Sequence, residues 1–294
     1  MAAGKDSIWE RFLAPVMGLF IDGDELKRYA QSIDWEKETN RFRRGDVEIP
    51  AYYSNQNFHG IKGKYLNSSA AVTYDAVTQY VLPPNENWVR QSLIDGVKVK
   101  PRRILDLGCG TGSTTLMLKQ AFPQAQVIGL DLSPYMLVRA EDKAQKAGLD
   151  VFWRHGNAEK TGYINESFDL ITASLLFHET PSDVAQAILR ESFRLLTTSG
   201  QMLVLDSSQK ILRENDWMNN VFEEPYIRDY CAGSLDASMV AAGFQGVQTN
   251  DVWWVHQLTS GVKPISAENS QSWQNVQEYG EWEVGSGEWG VGTV

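Results

Sequence analysis

The chain contains few of the residues that build disulfide frameworks and metal centres. Only two of its 294 residues are cysteine, and four are histidine. Neither cysteine belongs to a C-x-x-C pair, and the histidines lack the spacing of metal ligands. This composition excludes a disulfide framework and is typical of a reducing compartment. We therefore expect a cytoplasmic protein without a metal site.

Clusters of basic residues and long apolar runs are also missing. The 27 Lys and Arg residues are outnumbered by 37 Asp and Glu residues, which gives a formal charge of −10. Proteins that bind nucleic acid normally carry a basic surface, so we expect no nucleic-acid partner. The apolar stretch at residues 12–21 is about half as long as the ~20 residues that a membrane-spanning helix needs, so no such helix is expected. A small molecule is then the expected partner.

The most informative stretch is a glycine-rich run that follows an apolar segment. Residues 104–107 (ILDL) predict a buried strand, and residues 108–112 (GCGTG) predict a tight turn into a helix. Glycine adopts backbone conformations that other residues avoid, and it lets a ligand approach closely. The free backbone N–H groups at a helix start bind carboxylates and phosphates. The run therefore predicts a site for a nucleotide-type cofactor.

The spacing of the glycines separates two kinds of cofactor. A dinucleotide fingerprint requires G-x-G-x-x-G, but here the third glycine comes one residue early and Ser113 stands at the expected position. The run instead resembles D-x-G-x-G-x-G, the first motif of the class I S-adenosylmethionine-dependent methyltransferases. The resemblance places Asp106 at the methionine end of the cofactor. It implies further cofactor contacts at Gly108, Cys109 and Gly110.

Two more strand ends fit the same resemblance. Residues 127–131 (VIGLD) end in Asp131, whose carboxylate can accept hydrogen bonds from both ribose hydroxyls. Dinucleotide enzymes place an acid similarly, so Asp131 alone does not discriminate between the cofactors. The resemblance puts Leu132 and Met136 near the adenine. It also aligns Asn157 and Ala158 with the third motif, G-D-A, so that Asn157 stands where the motif has an acid. The side-chain oxygen of Asn157 can accept a hydrogen bond from the adenine amine, although it carries no charge.

The fourth predicted strand leads to the candidate catalytic residues. It covers residues 168–177, and His178 and Glu179 follow it. The resemblance places these residues beside the methyl group that is transferred, with Ser174 and Leu175 at the cofactor. An imidazole titrates near neutrality, so His178 is the first candidate for a general base and Glu179 the second. The alternative is a histidine that only shapes the pocket.

Alternating strand and helix patterns predict the fold. They indicate a doubly wound, Rossmann-like α/β sheet, mostly parallel, and the resemblance implies an antiparallel last strand. We expect a methyltransferase core at residues 101–258. Residues 1–100 are expected to form a helical extension that covers the site, with helices near residues 8–20, 24–43, 68–82 and 85–95. Its Tyr74 is a candidate contact of the cofactor or substrate. Residues 259–294 form a tail rich in Trp and Gly.

The resemblance also predicts an activity. Residues 101–210 are most similar to the methyltransferases of ubiquinone and menaquinone biosynthesis, which implies O- or C-methylation of an aromatic or lipophilic small molecule, with S-adenosylhomocysteine as product. An NAD(P)-dependent oxidoreductase and a non-catalytic scaffold that binds S-adenosylmethionine remain as alternatives. A homodimer is one of the assemblies that the sequence leaves open.

Overall fold

The structure is a computed structural model that describes residues 22–54, 65–81, 84–215, 217 and 225–265. The described residues between 22 and 263 belong to one compact unit. The helix predicted at residues 8–20 and nearly all of the tail lie outside the described residues. The domain boundaries drawn from the sequence therefore stay predictions. No helix in the described ranges is long and apolar enough to cross a bilayer.

A seven-stranded sheet forms the centre of the fold. Its strand order is β3-β2-β1-β4-β5-β7-β6, where β7 is antiparallel to both of its neighbours and the first five strands run parallel. The predicted doubly wound sheet with an antiparallel last strand is confirmed. The strands are β1 (Arg103–Leu107), β2 (Gln126–Asp131), β3 (Phe152–His155), β4 (Phe168–Ser174), β5 (Leu196–Ser207), β6 (Gln245–Val252) and β7 (His256–Val262).

Helices precede the sheet and connect its strands. The N-terminal ones are α1 (Gly23–Ser32), α2 (Trp35–Phe42), α3 (Ala51–Ser54), α4 (Ser68–Val81) and α5 (Glu86–Asp95). The later ones are α6 (Ser113–Ala121), α7 (Pro134–Ala147), α8 (Ser182–Leu195), α9 (Gln209–Glu214), α10 (Ile227–Ala232) and α11 (Leu235–Ala241). The single helix predicted at residues 24–43 is divided in two. Asp34 accepts a hydrogen bond from the Lys37 backbone N–H at 3.1 Å and so caps a new helix.

Side chains of the central strands pack on both faces of the sheet. Successive residues of a strand point to opposite faces. Ile104 thus packs in a cluster with Val89 and Leu93 of α5, whereas Leu105 packs with Ile188 of α8. All five are at most 1% exposed. Helices on both faces leave only the ends of the strands for a ligand.

Two exposed tryptophans stack at the carboxyl edge of the sheet. Trp88 of α5 and Trp253 of the β6–β7 turn have ring centroids 5.6 Å apart and planes 25° apart. Trp253 adopts a left-handed φ of 51°. The turn lies at this edge because His256, at the start of β7, pairs with Ser207 at the end of β5.

The end of α7 provides a test of the backbone geometry. Gly148 terminates this helix with φ 66°, and a Cβ there would meet nothing within 4 Å. We expect Gly148→Ala to lower the free energy of unfolding by about 1–2 kcal/mol, the strain of a left-handed residue that has a Cβ. Gly23→Ala is the matched control, because it also meets open space but lacks a left-handed φ. Urea unfolding measures both variants, and equal losses would contradict the assignment.

Candidate active site

A cavity opens at the carboxyl ends of the parallel strands. The chain crosses from β1 to β2 on one side and returns to β4 on the other, and this switch point is where open α/β sheets bind ligands. Eleven of the residues singled out in the sequence line it. They are Tyr74, Gly108, Gly110, Asp131, Leu132, Met136, Asn157, Ala158, Ser174, Leu175 and Glu179.

Three other candidate residues lie beside this cavity and are not among the described residues that line it. Asp106 is beneath the glycine loop and 1% exposed. Cys109 connects the loop to β2 through its backbone N–H, which donates to the Leu130 carbonyl at 3.1 Å. His178 is 5% exposed and lies in the 3-10 turn Phe177–Glu179.

The glycine loop has the backbone that its sequence predicts. Gly108, Gly110 and Gly112 have φ values of 60°, 53° and 82°. Space is a second constraint at Gly112, where a Cβ would lie 2.6 Å from the Trp153 ring. Side chains are therefore excluded at Gly112 by both conformation and contact. The loop leads directly into α6, and its Gly108 and Gly110 line the cavity.

Asp131 has an oriented carboxylate at the end of β2. Its Oδ1 accepts from the Ser133 backbone N–H and its Oδ2 from the Gly110 backbone N–H, both at 2.8 Å. Each oxygen keeps a second lone pair, so the group can also accept two hydroxyls. Burial raises the pKa of Asp131 to about 6 despite these two bonds, and nearby Glu179 acts in the same direction.

Asp106 is held at the end of β1 by two hydroxyl donors. It accepts hydrogen bonds from the hydroxyls of Thr115 at 2.6 Å and Thr172 at 2.7 Å. Burial raises the pKa of this carboxyl to about 6, while the two hydroxyls oppose the change. These bonds tie the end of β1 to α6 and β4.

Asn157 follows β3 and is fixed by its own turn. Its side-chain oxygen accepts from the Glu159 backbone N–H at 2.8 Å, and its amide nitrogen donates to a Glu159 carboxylate oxygen at 3.1 Å. Tyr52 donates to that same oxygen at 3.1 Å. The side-chain oxygen of Asn157 retains one lone pair for a further donor.

Four tyrosines form the wall of the cavity that comes from the N-terminal helical segment. They are Tyr52, Tyr53, Tyr65 and Tyr74. Tyr65 and Tyr74 meet edge to face at 5.8 Å, and the Tyr65 hydroxyl donates to Glu179 at 2.8 Å. Burial raises the pKa of Tyr52, Tyr53 and Tyr74 well above the usual value, so these phenols are neutral donors. Of these four residues, only Tyr74 was singled out in the sequence.

His178 is oriented by a buried carboxylate that the sequence did not single out. Asp206, at the end of β5, is 0% exposed and lies 2.6 Å from His178 Nδ1. It also accepts from the backbone N–H groups of Phe177 at 2.9 Å and Ser207 at 2.7 Å. A carboxylate only accepts, so Nδ1 carries the proton and Nε2 is the basic nitrogen of the neutral ring. The rule that polar groups gather at carboxyl strand ends would have found Asp206.

A second buried network reaches the cavity from α5. Arg90, 5% exposed, donates to Glu86 at 2.8 Å and to the Thr114 hydroxyl at 2.7 Å. The Thr114 hydroxyl donates to Ser174 at 3.0 Å, and Ser174 lines the cavity. Arg90 also had no motif to identify it, because a helical Arg-Glu pair at this spacing is usually a surface feature.

The charges at the cavity have one sign. Asp131 and Glu179 line it, and no Lys or Arg does so within the described part of the chain. Such a lining favours ligands that are neutral or positively charged over anions. The cavity can therefore hold a nucleoside with a charged side chain, because it offers oxygen acceptors at β2 and β3 and a glycine loop at β1. Its aromatic rings can contact an apolar second ligand.

Comparison with known proteins relates the part of the chain around this site to methyltransferases. Residues 104–200 match a family model described as a methyltransferase domain. This range begins in β1 and ends in β5, so it contains the glycine loop, Asp131, Asn157 and the residues that follow β4. The match confirms the resemblance drawn from the loop.

Curated relatives resemble about half of the chain. It is 32% identical over 140 residues to a demethylmenaquinone methyltransferase of Deinococcus radiodurans, which covers 47% of this chain and 57% of that protein. A demethylmenaquinone methyltransferase of Thermus thermophilus is 34% identical over 140 residues, covering 47% of this chain and 63% of the relative. The chain thus spans less than two thirds of each of these relatives.

A solved structure agrees with the fold. Human N-acetylserotonin methyltransferase, in complex with S-adenosylmethionine, superposes with a TM-score of 0.55 at 15% identity. The superposition covers 79% of this chain and 66% of that one. At this identity the similarity concerns the fold.

Proposed function

Residues 104–200 match a family model of a methyltransferase domain, and on this premise we propose that the protein is a class I enzyme that transfers a methyl group from S-adenosylmethionine to a small aromatic or lipophilic molecule. The observation that carries the proposal is the cavity itself. It brings the glycine loop, Asp131, Asn157 and the tyrosine wall into one space. The product is S-adenosylhomocysteine.

The order of the strands supports an assignment of residues to the cofactor. Asn157 and Met136 would hold the adenine and Asp131 the ribose, at the β3 and β2 side of the cavity. Gly108, Gly110 and Ser174 would hold the methionine end, at the β1 and β4 side. S-adenosylmethionine supplies an activated methyl group, so alignment and exclusion of water are the main tasks of the protein.

The tyrosine wall supports the proposed class of acceptor. Aromatic rings provide an apolar surface that stacks on planar molecules. The carboxylates at the cavity disfavour an acceptor that carries phosphate or carboxylate groups. The acidic composition supports a small molecule over nucleic acid, and the two cysteines support a cytoplasmic location. A homodimer stays a prediction.

His178 is the proposed general base. Its tautomer, fixed by Asp206, presents Nε2 as the acceptor of a proton from a hydroxyl of the methyl acceptor. Glu179 is the second candidate, and its support is a place on the cavity wall.

Ligand-induced stabilisation tests the proposed cofactor. We expect S-adenosylmethionine and S-adenosylhomocysteine to raise the melting temperature, because a ligand that binds only the folded state stabilises it. NAD and NADP are the controls, and stabilisation by these two alone would contradict the proposal. Transfer of a labelled methyl group to a panel of phenols, quinones and aliphatic alcohols then separates an enzyme from a scaffold.

The pKa of Asp131 predicts how cofactor affinity depends on pH. Hydroxyl donors favour the ionised carboxylate, and this form is lost as the pH falls through the pKa of about 6. Affinity for S-adenosylmethionine should therefore be ~10-fold lower at pH 5 than at pH 7. The stability of the protein without ligand depends on pH in the opposite direction. The raised pKa makes ionisation of the Asp131 carboxyl costly in the folded state, so the free energy of unfolding falls as the pH rises from about 4 to about 6. Calorimetric titration at both pH values checks the predicted change in affinity. In the variant Asp131→Asn, the dependence of affinity on pH should flatten.

A further inference from the structure

A carboxylate of the N-terminal helical segment reaches the glycine loop. Asp75 lies in α4, next to Tyr74 of the cavity wall. Its Oδ1 accepts from the Thr111 hydroxyl at 2.5 Å. Thr111 stands between the glycines of the loop and is 1% exposed. One hydrogen bond thus joins α4, the helix that carries Tyr74, to the glycine loop that faces the cavity.

Two cations of α7 complete this contact. Lys143 donates to Asp75 Oδ1 at 2.9 Å, and Arg139 donates to Asp75 Oδ2 at 3.3 Å. Lys143 also donates to Ser113 at 3.0 Å, at the start of α6. Although burial opposes ionisation, Lys143 and Thr111 hold the pKa of Asp75 below its usual value. The group is therefore a charged, mostly buried junction among α4, α7 and the loop.

The helix α4 carries one ring of the tyrosine wall, Tyr74, and contacts a second ring, Tyr65. Tyr74 and Tyr65 contact each other edge to face. The hydroxyl of Ser133 donates a hydrogen bond to the backbone carbonyl of Tyr65 at 2.5 Å. Ser133 in turn donates its backbone N–H to Asp131. The wall and the loop are consequently connected twice, through Ser133 and Asp131 and through the bond of the Asp75 carboxylate to Thr111.

We propose that Asp75 is a positioning residue that couples the glycine loop to α4, so that binding of the cofactor and docking of the tyrosine wall stabilise each other. The proposal rests on the proposed function, since it takes S-adenosylmethionine as the ligand of the loop. A ligand that orders the loop strengthens the bond from Thr111, and a docked α4 holds the loop ready for the ligand. Coupling of this kind is reciprocal.

Three variants separate coupling from simple stabilisation. Asp75→Ala removes the junction, and Thr111→Val removes only the hydroxyl that joins loop and helix while it keeps the shape. Asp142→Ala is the matched control, because Asp142 forms ion pairs with Arg139, at 3.4 Å, and with Lys146, at 2.8 Å, both of which belong to α7. Calorimetry measures the dissociation constant of S-adenosylmethionine for the full chain. Hydrogen exchange measures the protection of the amides of α4 with and without the ligand.

We expect Asp75→Ala and Thr111→Val to weaken binding ~10-fold, within the range of typical coupling between sites. Asp142→Ala should stay within twofold of the parent protein. The ligand should slow exchange in α4 of the parent protein and lose this effect in Asp75→Ala. Binding within twofold in both Asp75→Ala and Thr111→Val would overturn the proposal, whatever their melting temperatures. If the parent protein binds no S-adenosylmethionine, the proposed function fails. In that case, hydrogen exchange of α4 that is the same in Asp75→Ala and in the parent protein would also overturn the role of Asp75 in holding α4 to the loop.

Discussion

Replacement of Asp131 by alanine is expected to weaken the binding of S-adenosylmethionine by ~100-fold. The carboxylate would accept two ribose hydroxyls, and hydrogen bonds to a charged group contribute about 1.5–3 kcal/mol each. Two such bonds amount to about 3 kcal/mol at least, or roughly a hundredfold in affinity. The change also leaves the backbone N–H groups of Gly110 and Ser133 without their acceptor, so the loop loses its support together with the ligand contact.

Asp169 offers a matched control for this loss of support. It accepts backbone N–H bonds from Arg102 at 2.8 Å and Arg103 at 2.9 Å, but it lies near the start of β4 at the opposite edge of the sheet. Asp169→Ala should lower stability and leave cofactor affinity within about twofold. Calorimetric titration of both variants decides the matter. Equal affinities in Asp131→Ala and the parent protein would remove Asp131 from the cofactor site.

Replacement of His178 by alanine is expected to lower turnover ~100-fold or more, the usual contribution of a general base. The affinity for S-adenosylmethionine should change little, because the proposed role concerns a proton of the acceptor. Asp206→Asn should also lower turnover, because an amide can donate to the imidazole and disturb the tautomer that the carboxylate fixes. Rates are measured with the best acceptor of the screening panel across pH 5–9.

Glu179→Gln distinguishes the two candidate bases. It keeps the shape of the side chain that meets Tyr65 and removes the charge. A large loss of turnover in Glu179→Gln, with little loss in His178→Ala, would transfer the role to Glu179. The pH profile gives a second criterion. A general base is inactive when it is protonated, so the fall of the rate on the acidic side should disappear only in the variant that lacks the base.

The sequence located the side of the cavity that we assign to the cofactor, because the position of that side depends on local rules. Strand ends in a parallel sheet meet at one edge, so Asp131 and Asn157 could be brought together without a structure. The loop glycines were equally accessible, since their left-handed conformations exclude other residues. Asp106 shows the limit of this reasoning. Its place in the motif was clear, but its burial beneath the loop depends on hydroxyls from α6 and β4.

The acceptor side could not be derived in this way. Tyr52 and Tyr65 reach the cavity through contacts with residues more than 100 positions away, Glu159 and Glu179. No periodic pattern encodes such contacts, because they depend on how the N-terminal helices lie on the sheet. Asp75 was missed for the same reason, because it looks like an ordinary acid until its partners are known. Asp206 differs, since its place at the end of β5 was a signal that the sequence offered.

The stacked pair Trp88 and Trp253 gives this protein an optical signal of its own. The two indoles belong to α5 and to the β6–β7 turn, and α5 also carries Arg90, which connects to the cavity through Thr114 and Ser174. The electronic coupling of stacked rings depends steeply on their separation and angle. Near-ultraviolet circular dichroism of the unlabelled protein therefore reports any displacement of α5 against the sheet, and Trp88→Phe isolates the contribution of the pair.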